Sequence, residues 1–215
     1  MAAPDGSPAR PERTLRAVRL LAFSDLHRDE RSAHALVERS AQVDVVAGVG
    51  DFASVHRGLE EMIGVLRAID RPVLLVPGNN ETDEALRAAC AGWPAAGVLH
   101  GDATEIDGVT FFGLGGGVPL TPWDWSFDLT EEQAERALSP LGPGAVLLVH
   151  SPPKGHVDRG LGSAAVLEAV REKRPQIVLC GHVHECWGQQ SRVGDVPVHN
   201  LGPAGAVFEV EPGAA

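Results

Sequence analysis

The pair His182 and His184, two residues apart and just past Gly181, can deliver two imidazoles to one small volume. Imidazole titrates near neutral pH and is the commonest side-chain metal ligand. Side chains at i and i+2 share one side of an extended segment, and the glycine lets the chain turn there. The pair follows the apolar stretch 174–179, and four other apolar stretches end in comparable groups. Residues 19–23 lead to Asp25 and His27, 43–47 to Asp51, 73–76 to Asn79, and 145–149 to His150. One His-x-His is an ordinary surface feature; five stretches that all end in carboxylate, imidazole or amide groups describe a site. Such a mixture suits borderline divalent ions such as Mn, Fe or Zn better than Ca or Mg.

The elements between these groups must bring them together. Each apolar stretch reads as a buried strand. Helices are expected over about 31–41, with Ala33, Leu36 and Val37 at helical spacing, and over about 57–69, with Leu59, Met62, Ile63 and Leu66 on one face. A third is expected over about 82–91, capped by Thr82. Strand ends recurring near Asp25, Asp51 and Asn79 suit repeated βαβ units, whose sites form at the carboxyl ends of the strands. After residue 97 the pattern changes. Short strands at 98–99, 103–106 and 109–113, with Asp107-Gly108 as a hairpin turn, predict a second sheet. Residues 113–129 read as a long irregular loop of a kind that is often functional. Its Trp123 and Trp125 either line a substrate pocket or pack the loop onto the body. Helices over 131–137 and 163–171, the second capped by Ser163, flank the strand to His150, and strands near 188–193, 197–200 and 206–210 close the chain. The sum is two sheets face to face with helices outside.

The ordered series Asp25-x-His27, Gly50-Asp51, Gly78-Asn79, His150 and Gly181-His182-x-His184 resembles the calcineurin-like metallophosphoesterase superfamily over about residues 16 to 210. The resemblance implies an α/β fold, a four-layer αββα sandwich of two mixed sheets flanked by helices. It implies two divalent ions, Mn first, with Fe or Zn as alternatives. One would be held by Asp25, His27, Asp51 and His184, the other by Asp51, Asn79, His150 and His182, with Asp51 bridging. The expected activity is dinuclear metal-dependent hydrolysis of a small phosphate ester, a phosphodiester favoured, by attack of metal-bound hydroxide, with Asp51, Asn79 and His150 at the catalytic centre. The histidine ligands need partners on their second nitrogens, for which Glu81 and Glu185 lie close in sequence.

One position departs from the family pattern. Many members carry a histidine directly after the Gly-Asn ligand, where it helps to protonate the leaving group; here that residue is Asn80, which cannot supply a proton. His56 and His156 are alternative acids or else solvated histidines, and His34, His100 and His199 read as solvated. Asn80, His56, Trp123 and Trp125 are the candidate substrate contacts. Lys154 and Arg159 are solvated charges or else substrate contacts, and Asn200 offers the same choice between solvent and substrate.

With 215 residues, 44% of them hydrophobic, the chain can bury a sizeable core. Residues 1–14 read as a disordered tail and 15–212 as a single domain. A net charge of −11 argues against a nucleic-acid partner, which needs a basic face. No secretory leader or membrane span is expected, and three scattered cysteines, Cys90, Cys180 and Cys186, suit reduced thiols in the cytoplasm. Oligomeric state is not set by these features. The alternative reading is a non-catalytic metal-binding interaction scaffold on the same fold. Loss of a ligand would favour it, and the seven ligand positions are all filled.

Overall fold

Alternation along each strand decides the layers. Successive side chains of a strand point to opposite faces. In β1 (Val18–Phe23) the odd positions Leu21 and Phe23 pack against helices, while Leu20 and Ala22 enter the space between two sheets. In β7 (Val146–Val149), Val146 and Leu148 meet that same central layer, and Leu147 and Val149 face helices on the far side. Strands buried on both faces read as unbroken apolar runs, which is why these segments stood out in the sequence.

The computed structural model describes residues 16–213. Its first sheet has the order β11-β1-β2-β3-β4, with β2 at Val45–Val49, β3 at Val73–Val76, β4 at Ala96–Val98 and β11 at Ala206–Val210. β1 to β4 run parallel, and β11 runs antiparallel on the β1 edge. The second sheet has the order β5-β6-β7-β8-β10-β9, built from Asp102–Ile106, Val109–Leu114, β7, Ile177–Cys180, Val196–Asn200 and Gln190–Val193. Its edge strands β5 and β9 are antiparallel to their neighbours, and the rest are parallel. Helices α1 (Glu30–Ser40), α2 (Leu59–Leu66) and α3 (Asp83–Cys90) cover the first sheet; α4 (Glu131–Leu138) and α5 (Ala164–Lys173) cover the second. This is the αββα sandwich.

Thr82 caps α3 through the Ala85 N–H, and Ser163 caps α5 through the Val166 N–H, as their positions predict. Two expectations shift. The strand expected at 98–99 is β4, and it joins β3 in the first sheet rather than opening the second. It is three residues long and follows α3 as a further parallel unit, so its sheet is set by pairing that its own sequence does not carry. Helix α2 starts two residues later than expected, because Arg57 bridges back to Ser54 and Gly58 takes a left-handed φ of 78° at its N-cap. The tail expected at 1–14 lies outside the described residues.

Candidate metal centre

The carboxyl ends of β1, β2, β3, β7 and β8 meet at one edge of the sandwich. Asp25, His27, Asp51 and His184 form one cluster there, and Asp51, His150 and His182 form another; within each, the ligand-type atoms lie within 4.8 Å of one another. Asn79 completes the second cluster, its Oδ1 being 3.3 Å from His150 Nε2 and 3.1 Å from His182 Nδ1. Tight turns put these side chains in place. Asp25, His27, Asp51 and His182 have φ values of 55°, 43°, 58° and 67°. Left-handed backbone in residues other than glycine is sparsely populated, and it concentrates at sites whose surroundings over-determine it.

The pair His182 and His184 is presented differently from expectation. The segment is not extended: His182 itself takes the left-handed turn, and His184 opens a single 3₁₀ turn, His184–Cys186. Gly181 is needed for close approach, since a Cβ there would run into Asp25 Oδ2 and Ser24 Oγ. Asn200 is buried and gives its Nδ2 to the carbonyls of Gly181 and Val183 at 3.0 and 3.2 Å, pinning the turn. It therefore faces neither solvent nor substrate.

Hydrogen bonds fix which ring nitrogens face inward. His27 Nδ1 donates to the Ala53 carbonyl at 3.1 Å and His150 Nδ1 to the Val49 carbonyl at 2.9 Å. Both rings therefore turn Nε2 to the site. Backbone carbonyls, not Glu81 or Glu185, are their partners. Glu81 is buried, and its carboxylate accepts the N–H groups of Asp51, Gly78 and Ala53, so it ties two ligand turns together. Burial, followed by the Asp51 charge, raises its pKa to about 7.

Asp51 is held at both oxygens by Asn80, whose N–H reaches Oδ1 at 2.9 Å and whose Nδ2 reaches Oδ2 at 2.8 Å. Asn80 Oδ1 in turn accepts the Val55 N–H. The residue expected to contact substrate has both ends of its amide committed to the frame. Burial opposes charge on Asp51, but His150, His27 and the Asn80 N–H outweigh it and hold the carboxyl well below the ordinary range. Burial likewise opposes charge on His150, but the Asp51 carboxylate raises its pKa to about 9. A divalent ion would take the place of that proton. Burial, with His150 adding to it, lowers His182 to about 4, leaving it neutral. Burial, against His150 and with Asp51, raises the Asp25 carboxyl.

The donor set fits divalent metal. His27 Nε2 and His184 Nε2 are 3.0 Å apart. Two nitrogens bound at about 2.1 Å and near right angles lie about 3 Å from each other. Asn79 presents oxygen rather than nitrogen for a traceable reason. Ser126 Oγ spends its one proton on Asp128 Oδ1 at 2.6 Å, so it accepts from Asn79 Nδ2 at 2.9 Å.

Comparison with known proteins gives the family and the fold. The family model for the calcineurin-like phosphoesterase superfamily domain matches residues 18–215. The chain belongs to the calcineurin-like phosphoesterase superfamily. The family is one of phosphoesterases, that is, of hydrolases. TT1561 of Thermus thermophilus is similar in structure, with a TM-score of 0.72 at 20% identity over 87% of this chain and 91% of that one. A dimetal phosphatase from Danio rerio has a TM-score of 0.65 at 14% identity, covering 88% of each chain. UPF0046 protein T07D4.2 of Caenorhabditis elegans is 34% identical in an alignment of 104 positions that covers 42% of this chain. The matched stretch spans 24% of that curated relative's length.

Within this phosphoesterase frame, a cavity of about 370 Å³ opens over the two clusters, and its remaining lining is Asn80, Trp123, Trp125, Leu161, Val183 and Glu185. His56 lies outside it: its Nε2 donates to the Trp125 carbonyl at 2.6 Å, supporting the loop rather than substrate. His156 lines a different cavity, with Arg171 and Arg174, and its Nδ1 faces Ser191 Oγ. His34, Lys154 and Arg159 are exposed, as expected. His100 and His199 are not solvated; they are half-buried against Phe127 and Phe208. Cys90, Cys180 and Cys186 are free and buried.

Nothing in the sequence pointed to Trp187. Its Nε1 donates to Asp25 Oδ2 at 3.2 Å, and its ring lies 4.4 Å from the His184 ring. Ser126 and Asp128 went equally unmarked, their one signal being a Ser-x-Asp spacing common in loops. Among the described residues, no helix is long and apolar enough to cross a membrane.

Proposed function

We propose that the chain is a dinuclear metal-dependent phosphoesterase that prefers small phosphodiesters. One observation carries the reading: the two Asp51 oxygens face different clusters, Oδ2 lying 3.4 Å from His27 Nε2 and Oδ1 3.5 Å from His150 Nε2. A carboxylate clamped in that attitude suits a bridge between two ions. Asp25, His27, Asp51 and His184 would hold one, and Asp51, Asn79, His150 and His182 the other. When bound, two divalent ions supply a water deprotonated near neutral pH and neutralise charge growing on the phosphoryl oxygens. The mixed donors favour Mn, with Fe or Zn as alternatives.

The chain's own residues support the diester preference. Among the described residues, no lysine or arginine lines the cavity. The site thus offers no cationic side chain for the second charge of a monoester dianion. Asn80 holds Asp51 and brings no proton to a leaving group, which favours substrates whose leaving group departs without one. The net charge of −11 speaks against nucleic acid as partner, and the three free buried thiols fit a reducing compartment, the cytoplasm.

The test is hydrolysis by stripped protein reloaded with Mn, comparing bis(p-nitrophenyl) phosphate with p-nitrophenyl phosphate. Faster diester cleavage that is lost in His182→Ala is expected. Equal cleavage by His182→Ala, or none by folded, Mn-bound wild type, would sink the assignment.

A further inference from the structure

Beside the ligands stands an aromatic surface that catalysis of phosphate hydrolysis does not require. Trp123 and Trp125 stack with ring centroids 5.5 Å apart and planes at 12°, and both line the cavity that holds His27, Asp51 and His184. Trp123 is 50% exposed, and Leu161, on the same cavity, is 58% exposed. Trp125 packs edge-on against His56, with ring centroids 6.4 Å apart, while other side chains seat the rest of the loop. Val118 is buried in the core beside α4, and Phe127 lies against His100 at 5.5 Å.

The platform is held rigidly to the metal centre. Asn79 Nδ2 donates to Ser126 Oγ, and the Phe127 N–H donates to the Asn79 carbonyl at 2.9 Å. Asp128 closes the loop by accepting the Thr121 N–H at 2.6 Å and the Thr121 hydroxyl at 2.7 Å. His56 holds the Trp125 carbonyl from the other side. The indoles therefore stand at a fixed offset from the second cluster, with apolar area open to solvent. Uncovered aromatic surface beside a polar centre suits a ligand with a flat apolar part and a phosphoryl part.

We infer that Trp123 and Trp125 form a subsite for a planar aromatic substituent, a nucleobase or aryl group, of the phosphate ester. This rests on the phosphoesterase reading and names its substrate class. The missing cationic side chains in the cavity then make sense: the flat group, together with the ligand clusters, carries recognition.

The experiment is direct binding to Mn-loaded protein by calorimetry, with adenosine 5′-monophosphate and ribose 5-phosphate as probes. They share the phosphate and sugar and differ in the base. Wild type should bind the adenosine compound about tenfold tighter or more, the discrimination one stacked base confers. In Trp123→Ala/Trp125→Ala the ratio should fall toward one, and in Trp123→Phe/Trp125→Phe most of it should return. Should the double alanine variant not fold, Trp123→Ala alone, at a half-exposed position, should cut the ratio severalfold. A wild-type ratio near one, or one that survives the alanine changes, overturns the inference. The readout is binding, so a chain that discriminates the probes but hydrolyses no ester would refute the phosphoesterase reading and leave the platform standing.

Discussion

His27 and His184, 157 residues apart in the chain, bring their Nε2 atoms to 3.0 Å of each other. With the His27 Nδ1 proton committed to the Ala53 carbonyl, the inward His27 nitrogen carries a lone pair. Two imidazoles meeting in this way can share one proton or one cation. A shared cation satisfies both rings, and it also relieves Asp25 and Asp51, two buried carboxylates of one site.

Metal should therefore stabilise the fold. At about one hundred times its dissociation constant an ion adds about 2.7 kcal/mol, which for a chain of this size raises Tm by about 5–10 °C. Calorimetric scans with Mn and with chelator should show that gap. In His184→Ala, a change at an exposed residue of the first cluster, that cluster's share of the gap should be lost and the second cluster's share kept.

Trp187 holds Asp25 by its indole N–H and His184 by its ring. Trp187→Phe keeps a ring over His184 and removes only the hydrogen bond. Changing the partners of metal ligands costs about 10–100-fold in affinity, so Mn binding by titration calorimetry should weaken about tenfold in Trp187→Phe and further in Trp187→Ala. Unchanged affinity in both would remove Trp187 from the metal centre.

Ser126 sets the direction of the Asn79 amide. Ser126→Ala frees that amide to turn its nitrogen toward His150 and His182. The expected result is selective weakening of one of two Mn sites, by about tenfold or more, seen as a split isotherm with the first site retained. Uniform weakening of both would contradict the assignment of Asn79 to one cluster.

His100 gives the fold an acid-side weakness away from the ligands. Its Nδ1 accepts the Gly115 N–H at 3.1 Å, which requires a neutral ring, and burial lowers its pKa from the ordinary value. The folded state binds this proton less readily than the unfolded chain does. The contribution is present above the unfolded pKa of about 6.5 and is lost as pH falls through the lower folded value. His100→Asn keeps an acceptor and removes the titration. Its unfolding free energy should fall less steeply than that of wild type between about pH 7.5 and pH 5. Parallel slopes would show that His100 does not carry the effect.

Much of the site was legible because its candidate ligands sit where apolar strands stop. Asp25, Asp51, Asn79, His150 and His182 each follow such a run within a few residues, and sheet geometry gathers strand ends without further instruction. The same alternation that buries Leu20 on one side of β1 and Leu21 on the other assigns the layers. Gly181 was visible as a turn glycine and Gly78 only as part of the Gly78-Asn79 motif. Their stricter duty, leaving room for Asp51 and Asp25, is a matter of contacts across the fold.

The sequence by itself determined the chemistry available: which residue types stand at which strand ends, and that Asn80 brings no proton. Only the tertiary structure decided how that chemistry is aimed. Asn80 clamping both oxygens of Asp51, Ser126 turning the Asn79 oxygen inward, Trp187 reaching Asp25 from 162 residues away, and paired indoles left open beside the ligands all depend on how the packed chain is arranged. A hydrogen bond depends on angstrom-scale placement of two groups. Spacing along the chain fixes that placement within one turn or strand, but between distant segments only the packed sheets do.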